Sequence, residues 1–234
     1  MKNKFLPFSA LLFAIIFFSC KKHNDAPKPP LPGINYSYPN GTTGFHSATV
    51  PFGDTIQSFS TTWIVPLTPF CDSTLFWWDG MDGGSLQPVL QWENGGWTIA
   101  NWYFTDDYHH GEVVPVSAGD TLIGVIQYLS HTKDSFYYKE SFIGHPEADV
   151  TFARTYLATE VDECIEAYTN TYLAFAPDTL TKMTGINCIT TLGTHPPNLK
   201  WTNNPPDLKT PAGYFPFVVV SSSSSNGEVD FYLK

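Results

Sequence analysis

The sequence predicts an all-β fold of antiparallel strands, a sandwich or a barrel, and three observations carry that prediction. Aromatic residues make up 16% of the 234 positions and charged residues only 15%, against the quarter usual for soluble domains. With 17 Gly and 19 Pro, turn residues recur between short β-branched and aromatic runs. No window of helix length shows a convincing 3.6-residue apolar period.

Taken in order, the first element is not part of the fold. Met1–Lys4 carries two lysines, and an apolar stretch follows to Phe18. This is the layout of a secretory signal over residues 1–19. It ends in Phe17-Phe18-Ser19-Cys20, similar to a bacterial lipobox, whose cysteine is lipidated and becomes the new N-terminus. Residues 20–33, rich in Pro and Lys with little to bury, read as a flexible lipid-anchored tether. Residues 34–234 then form a single β domain, with Trp63, Val65 and Trp78 in or beside its core. The expected location is the bacterial cell envelope, outside the cytoplasm, with the membrane contacted through the N-terminal lipid.

Candidate strands follow at Ser58–Val65, Thr74–Trp78, Pro88–Gln91, Thr98–Phe104, Thr121–Tyr128 and Ser135–Ile143, then at Asp149–Arg154, Val161–Tyr168, Tyr172–Ala176 and Tyr214–Ser221. Each is short, rich in β-branched or aromatic residues, and bounded by Gly, Pro, Asp or Asn. Their spacing near a dozen residues suits an antiparallel sandwich or barrel. Pro196–Pro211 reads as a long loop, and the segment through Val229-Asp230-Phe231 as the second arm of a hairpin. Asp82-Gly83-Gly84 is a strong turn signal with a strand on either side.

Composition also limits function. The formal charge is −10 and there is no Lys/Arg stripe, so nucleic acid is not an expected partner. No GxSxG elbow, HExxH or Gly-rich phosphate loop is present, and no cofactor or metal is expected. His109 and His110 are adjacent, so they point to opposite faces if extended and read as a solvated turn. Asp106-Asp107 lacks the alternating spacing of a calcium loop. Beyond Cys20, the cysteines Cys71, Cys164 and Cys188 allow at most one disulfide.

Two segments hold candidate chemistry. Gln91 closes the strand after Val89-Leu90 and matters if a carboxylate faces it. In Thr159–Tyr168, alternation puts Val161, Glu163 and Ile165 on one side and Asp162, Cys164, Glu166 and Tyr168 on the other. The first side suits a core and the second a binding face.

The ordered segments resemble the glutamic peptidases, the eqolisin family. Thr62-Trp63-Ile64-Val65-Pro66 is similar to the family's TWxVP strand, and Trp78-Asp79-Gly80-Met81-Asp82-Gly83 to its WxGIDG motif. Val89-Leu90-Gln91 resembles the xLQ strand, Ala100-Asn101-Trp102-Tyr103 a YEWY-like segment, and Val116-Ser117-Ala118-Gly119-Asp120 the VxAGD turn. Asp162-Glu163-Cys164-Ile165-Glu166 resembles the EWIVE-like strand. Asn101, Trp92 and the Glu163-Cys164 pair depart from the family pattern. The resemblance implies an antiparallel two-sheet β-sandwich of the concanavalin A-like (lectin and glucanase) architecture. It also implies Gln91 and Glu166 as catalytic residues, substrate contacts from Trp78, Asp82 and Trp102, and a monomeric enzyme acting on proteins or peptides. The alternative is a lectin-like surface lipoprotein, with Trp77, Trp78, Trp92, Trp97 and Trp102 stacking on sugar rings.

Overall fold

The structure, a computed structural model, describes residues 42–51, 53–69, 74–105, 107–167, 180–203 and 217–232. The signal, the tether with Cys20, the segment Tyr172–Ala176, and the residues Cys71, Asp106 and Tyr168 lie outside them.

Every regular element among the described residues is a strand, and the strands form two antiparallel sheets, so the all-β expectation holds. They are β1 (Thr42–Thr49), β2 (Ile56–Ile64), β3 (Leu75–Met81), β4 (Leu86–Glu93), β5 (Gly96–Phe104), β6 (Tyr108–His110), β7 (Val114–Pro115) and β8 (Thr121–His131). The series continues with β9 (Phe136–Phe142), β10 (His145–Arg154), β11 (Glu160–Ala167), β12 (Leu180–Thr190), β13 (Thr202–Asn203), β14 (Phe217–Ser221) and β15 (Gly227–Tyr232). One sheet runs β13-β1-β11-β3-β4-β5-β6, with β7 on β5; the other runs β10-β9-β8-β2-β12-β15-β14.

Alternation explains how each sheet buries one face. On the first sheet, Leu75, Trp77, Leu90, Ile99, Val161 and Ile165 point inward. From the second sheet Phe59, Trp63, Ile126, Phe142, Met183 and Phe231 meet them, and all of these residues are buried in one cluster. That is a β-sandwich with its core between the sheets.

Turn chemistry joins the strands that carry the motifs. Asn94 and Gly95 both adopt positive φ, 53° and 81°, which closes β4 onto β5 as a two-residue hairpin. Asp82, Gly83 and Gly84 all have positive φ between β3 and β4. Of the strands among the described residues, the short β6, β7 and β13 and the two longer strands β1 and β12 are not expected from sequence. β1 (TTGFHSAT) is small and polar, and β12 is interrupted at Gly185, φ +58°, where its register shifts. That bulge breaks the period-two pattern that would have marked β12.

Candidate active site

The outward face of the first sheet holds the candidate site, and strand register builds it. Glu166 of β11 pairs with Phe76 of β3, and Phe76 pairs with Gln91 of β4. Directly paired residues share a face, so Glu166, Phe76 and Gln91 form one row. Two strand spacings separate the Cα atoms of Glu166 and Gln91 by about 10 Å. The alternation expected around Glu166 holds: Val161 and Ile165 enter the core, while Cys164 joins a separate cluster with Trp78 and Val89.

A cleft of about 110 Å³ opens on this face, lined by Phe76, Gln87, Val89, Trp102, Tyr108 and Glu166. Trp78, 2% exposed, packs beneath it with Phe76 and Trp102 against the same cluster. Its indole has room because Gly80 and Gly84 have no Cβ; one at either position would come within 2.8 Å of the ring. This is a physical reason for glycines at those two points of the WDGMDGG run. Trp102 lies 5.9 Å from the Phe76 ring and 4.6 Å from His110. His109 stacks on Tyr103 instead, so the two histidines do point to opposite faces, in a short exposed strand.

Gln91 is 4% exposed, and its Oε1 accepts no hydrogen bond among the described residues. Glu166 is half-buried. The Cys164 thiol lies 3.9 Å from Glu166 Oε1. Burial first, and then the Glu166 charge, pushes that thiol well above its ordinary range, which leaves it neutral and a poor nucleophile. The same two causes, in the same order, raise the Tyr108 hydroxyl, so Tyr108 lies within the field of the Glu166 carboxylate.

Asp82, expected to contact substrate, is not brought to the cleft. Its Oδ1 accepts from the amides of Thr159 and Glu160 at 3.0 and 3.1 Å. Its Oδ2 lies 2.8 Å from Arg154 Nη1. Asp82 therefore holds the β3–β4 turn against the entry to β11. The sugar-stacking expectation also changes, because Trp77, Trp92 and Trp97 belong to the core and stack edge-on in a chain of contacts at 5.1 and 5.3 Å. Only Trp78 and Trp102 of the five lie on the outer face.

Two departures from the motif pattern turn inward as well. Trp92 faces the core, away from Gln91. Asn101 is fully buried and donates from Nδ2 to the Ala148 carbonyl at 2.6 Å. Sequence reading passed over Tyr108 and Gln87, because a short exposed strand and an isolated Gln give no pattern to detect.

No protein-family model matches the chain, and no curated protein matches it. Among solved structures, scytalido-glutamic peptidase with a peptide-based transition-state analogue superposes at a TM-score of 0.52 and 14% identity. The match covers 82% of this chain and 98% of that one. The fold is that of the glutamic peptidases. A second structure of scytalido-glutamic peptidase, with a transition-state analogue inhibitor, gives 0.50 at 14% identity over the same shares. At such identity the glutamic-peptidase fold is what the two chains share, and chemistry has to be argued from this chain's own residues.

Proposed function

We propose that this protein is a glutamic-type endopeptidase that hydrolyses peptide bonds in acid. The observation that carries the reading is the cross-strand row placing Gln91 and Glu166 on one face, with the cleft beside Glu166. In this reading Glu166 takes a proton from water as general base and returns it to the leaving amine as general acid. The Gln91 amide donates from its NH₂ to the developing oxyanion, and its unpartnered carbonyl orients the water. Peptide substrate lies along the face over Trp78 and Trp102. Acid favours the reaction because the amine leaves protonated while part of the Glu166 population is still ionised.

The test is digestion of casein or acid-denatured haemoglobin across about pH 2 to 7 by wild type and Glu166→Gln. The substitution keeps shape and removes the base, so the rate should fall by about 10²–10⁴. An equal rate in the variant would remove Glu166 from the mechanism. A wild type that digests nothing but binds a glycan array would favour the lectin alternative. We also propose that the protein acts outside the cytoplasm as a monomer, held to a membrane through lipidated Cys20; the positive start, apolar stretch and Phe17-Phe18-Ser19-Cys20 support that reading.

A further inference from the structure

On the inner face of the same strands sits a group of acids that catalysis does not use. Asp79 and Glu163 are direct cross-strand partners on β3 and β11, and neither has any exposed surface. Glu140 of β9, equally buried, comes from the opposite sheet, where Asp79 acts on it. Neither oxygen of Asp79 has a hydrogen-bond partner of normal geometry, nor has Glu163 Oε2. Thr61 of β2 donates to Glu163 Oε1 at 2.5 Å. Gly124 of β8 completes the enclosure, since a Cβ there would collide with Asp79 Oδ1.

Ionised acids without water or cations are costly to bury. Among the described residues the cation acting on this layer is Arg154 of β10, and Asp82 already holds it at 2.8 Å. Of the remaining groups, Asp162 on β11 repels charge on Glu163, and the backbone N–H of Gln87 on β4 favours charge on Glu140. His46 of β1 stands opposite Glu163 in register. Burial is the first cause for all three acids, and it holds each well above the ordinary carboxylate range. The orphaned acceptors point to protons as the missing ligand, because a protonated carboxyl supplies a donor that the layer lacks.

We propose that Asp79, Glu140 and Glu163 form a proton-loaded layer inside the sandwich, so that the protein is most stable in acid and loses stability toward neutral pH. The sign follows from linkage. Above about pH 4 the carboxyls of the unfolded chain ionise, while the folded layer keeps its protons. The folded state then binds more protons, so stability falls as pH rises, until the folded carboxyls ionise in turn. Below that range both states are protonated and the layer costs nothing. Each pH unit over which one carboxyl is protonated only in the folded state lowers the folding constant about tenfold.

Urea unfolding of the full chain between about pH 4 and pH 8 tests this, with Asp79→Asn and Glu140→Gln beside the wild type. The readout is stability, so it is independent of whether the chain cleaves peptides. The wild type should weaken toward neutral pH, and the amide variants, which imitate the protonated acid, should weaken less. A slope that survives both substitutions unchanged would belong to the net negative charge and overturn the proposal. Infrared spectra of the folded wild type near neutral pH need no variant. They should show a buried protonated-carboxyl band that disappears on unfolding, and its absence would overturn the proposal as well.

Discussion

Arg154 shows what one residue can hold together. Its guanidinium pairs with Asp82, donates to Ser85 Oγ at 3.0 Å, and lies 4.1 Å over the Tyr156 ring. It is 7% exposed and the Asp82 side chain 12%, so removing its charge leaves a mostly desolvated carboxylate without its counter-ion. Arg154→Met should therefore cost about 3–5 kcal/mol in urea unfolding. A loss near zero would mean that Asp82 is held by the Thr159 and Glu160 amides alone. The same residue-scale view accounts for the motif departures. Trp92 and Asn101 face inward, so neither intrudes on the proposed catalytic row. Cys164 is the departure that touches it, as a buried neutral thiol beside Glu166.

At the scale of elements, the β3–β4 hairpin couples turn chemistry to the floor of the cleft. Gly83 and Gly84 both have positive φ, 68° and 72°, yet their surroundings differ. A Cβ on Gly83 meets nothing within 4 Å, whereas one on Gly84 comes 2.7 Å from the Trp78 ring. Gly83→Ala should cost only backbone strain, about 1–2 kcal/mol. Gly84→Ala should cost more in thermal unfolding and also lower kcat/KM by displacing Trp78. If the two substitutions cost the same and leave kcat/KM alike, Trp78 is not held by that glycine. The Ser117–Asp120 turn follows a similar logic: Asp120 Oδ2 accepts from the Ser117 amide at 2.8 Å, and Gly119 takes φ +91°. The VSAGD run is thus a turn built by its own side chain.

For the whole molecule, the proposed membrane location rests on the N-terminus. Metabolic labelling with a palmitate analogue should mark the wild type and not Cys20→Ala; equal labelling of both would remove the lipobox reading. One acyl chain binds a membrane only marginally, so a stable anchor at Cys20 requires more than one. The proton-loaded layer belongs to the same scale, since an acid-stable interior suits an enzyme proposed to work in acid.

Strand class and most strand positions are legible in the sequence, because short aromatic and β-branched runs between turn residues leave few alternatives. The sequence also settled which side of Thr159–Tyr168 faces the core, since alternation in a strand is geometric. What it left open was every relation between strands distant in the chain. Register alone decides that Glu166 and Gln91 share a row through Phe76. Register likewise sets Asp79 beside Glu163, and sheet packing brings Glu140 over them. In the sequence, alternation puts Glu163 on the core side of its strand, yet nothing there marks Asp79 or Glu140 as its neighbours. Their burial follows from which faces the two sheets press together, a relation between distant strands that no local pattern encodes.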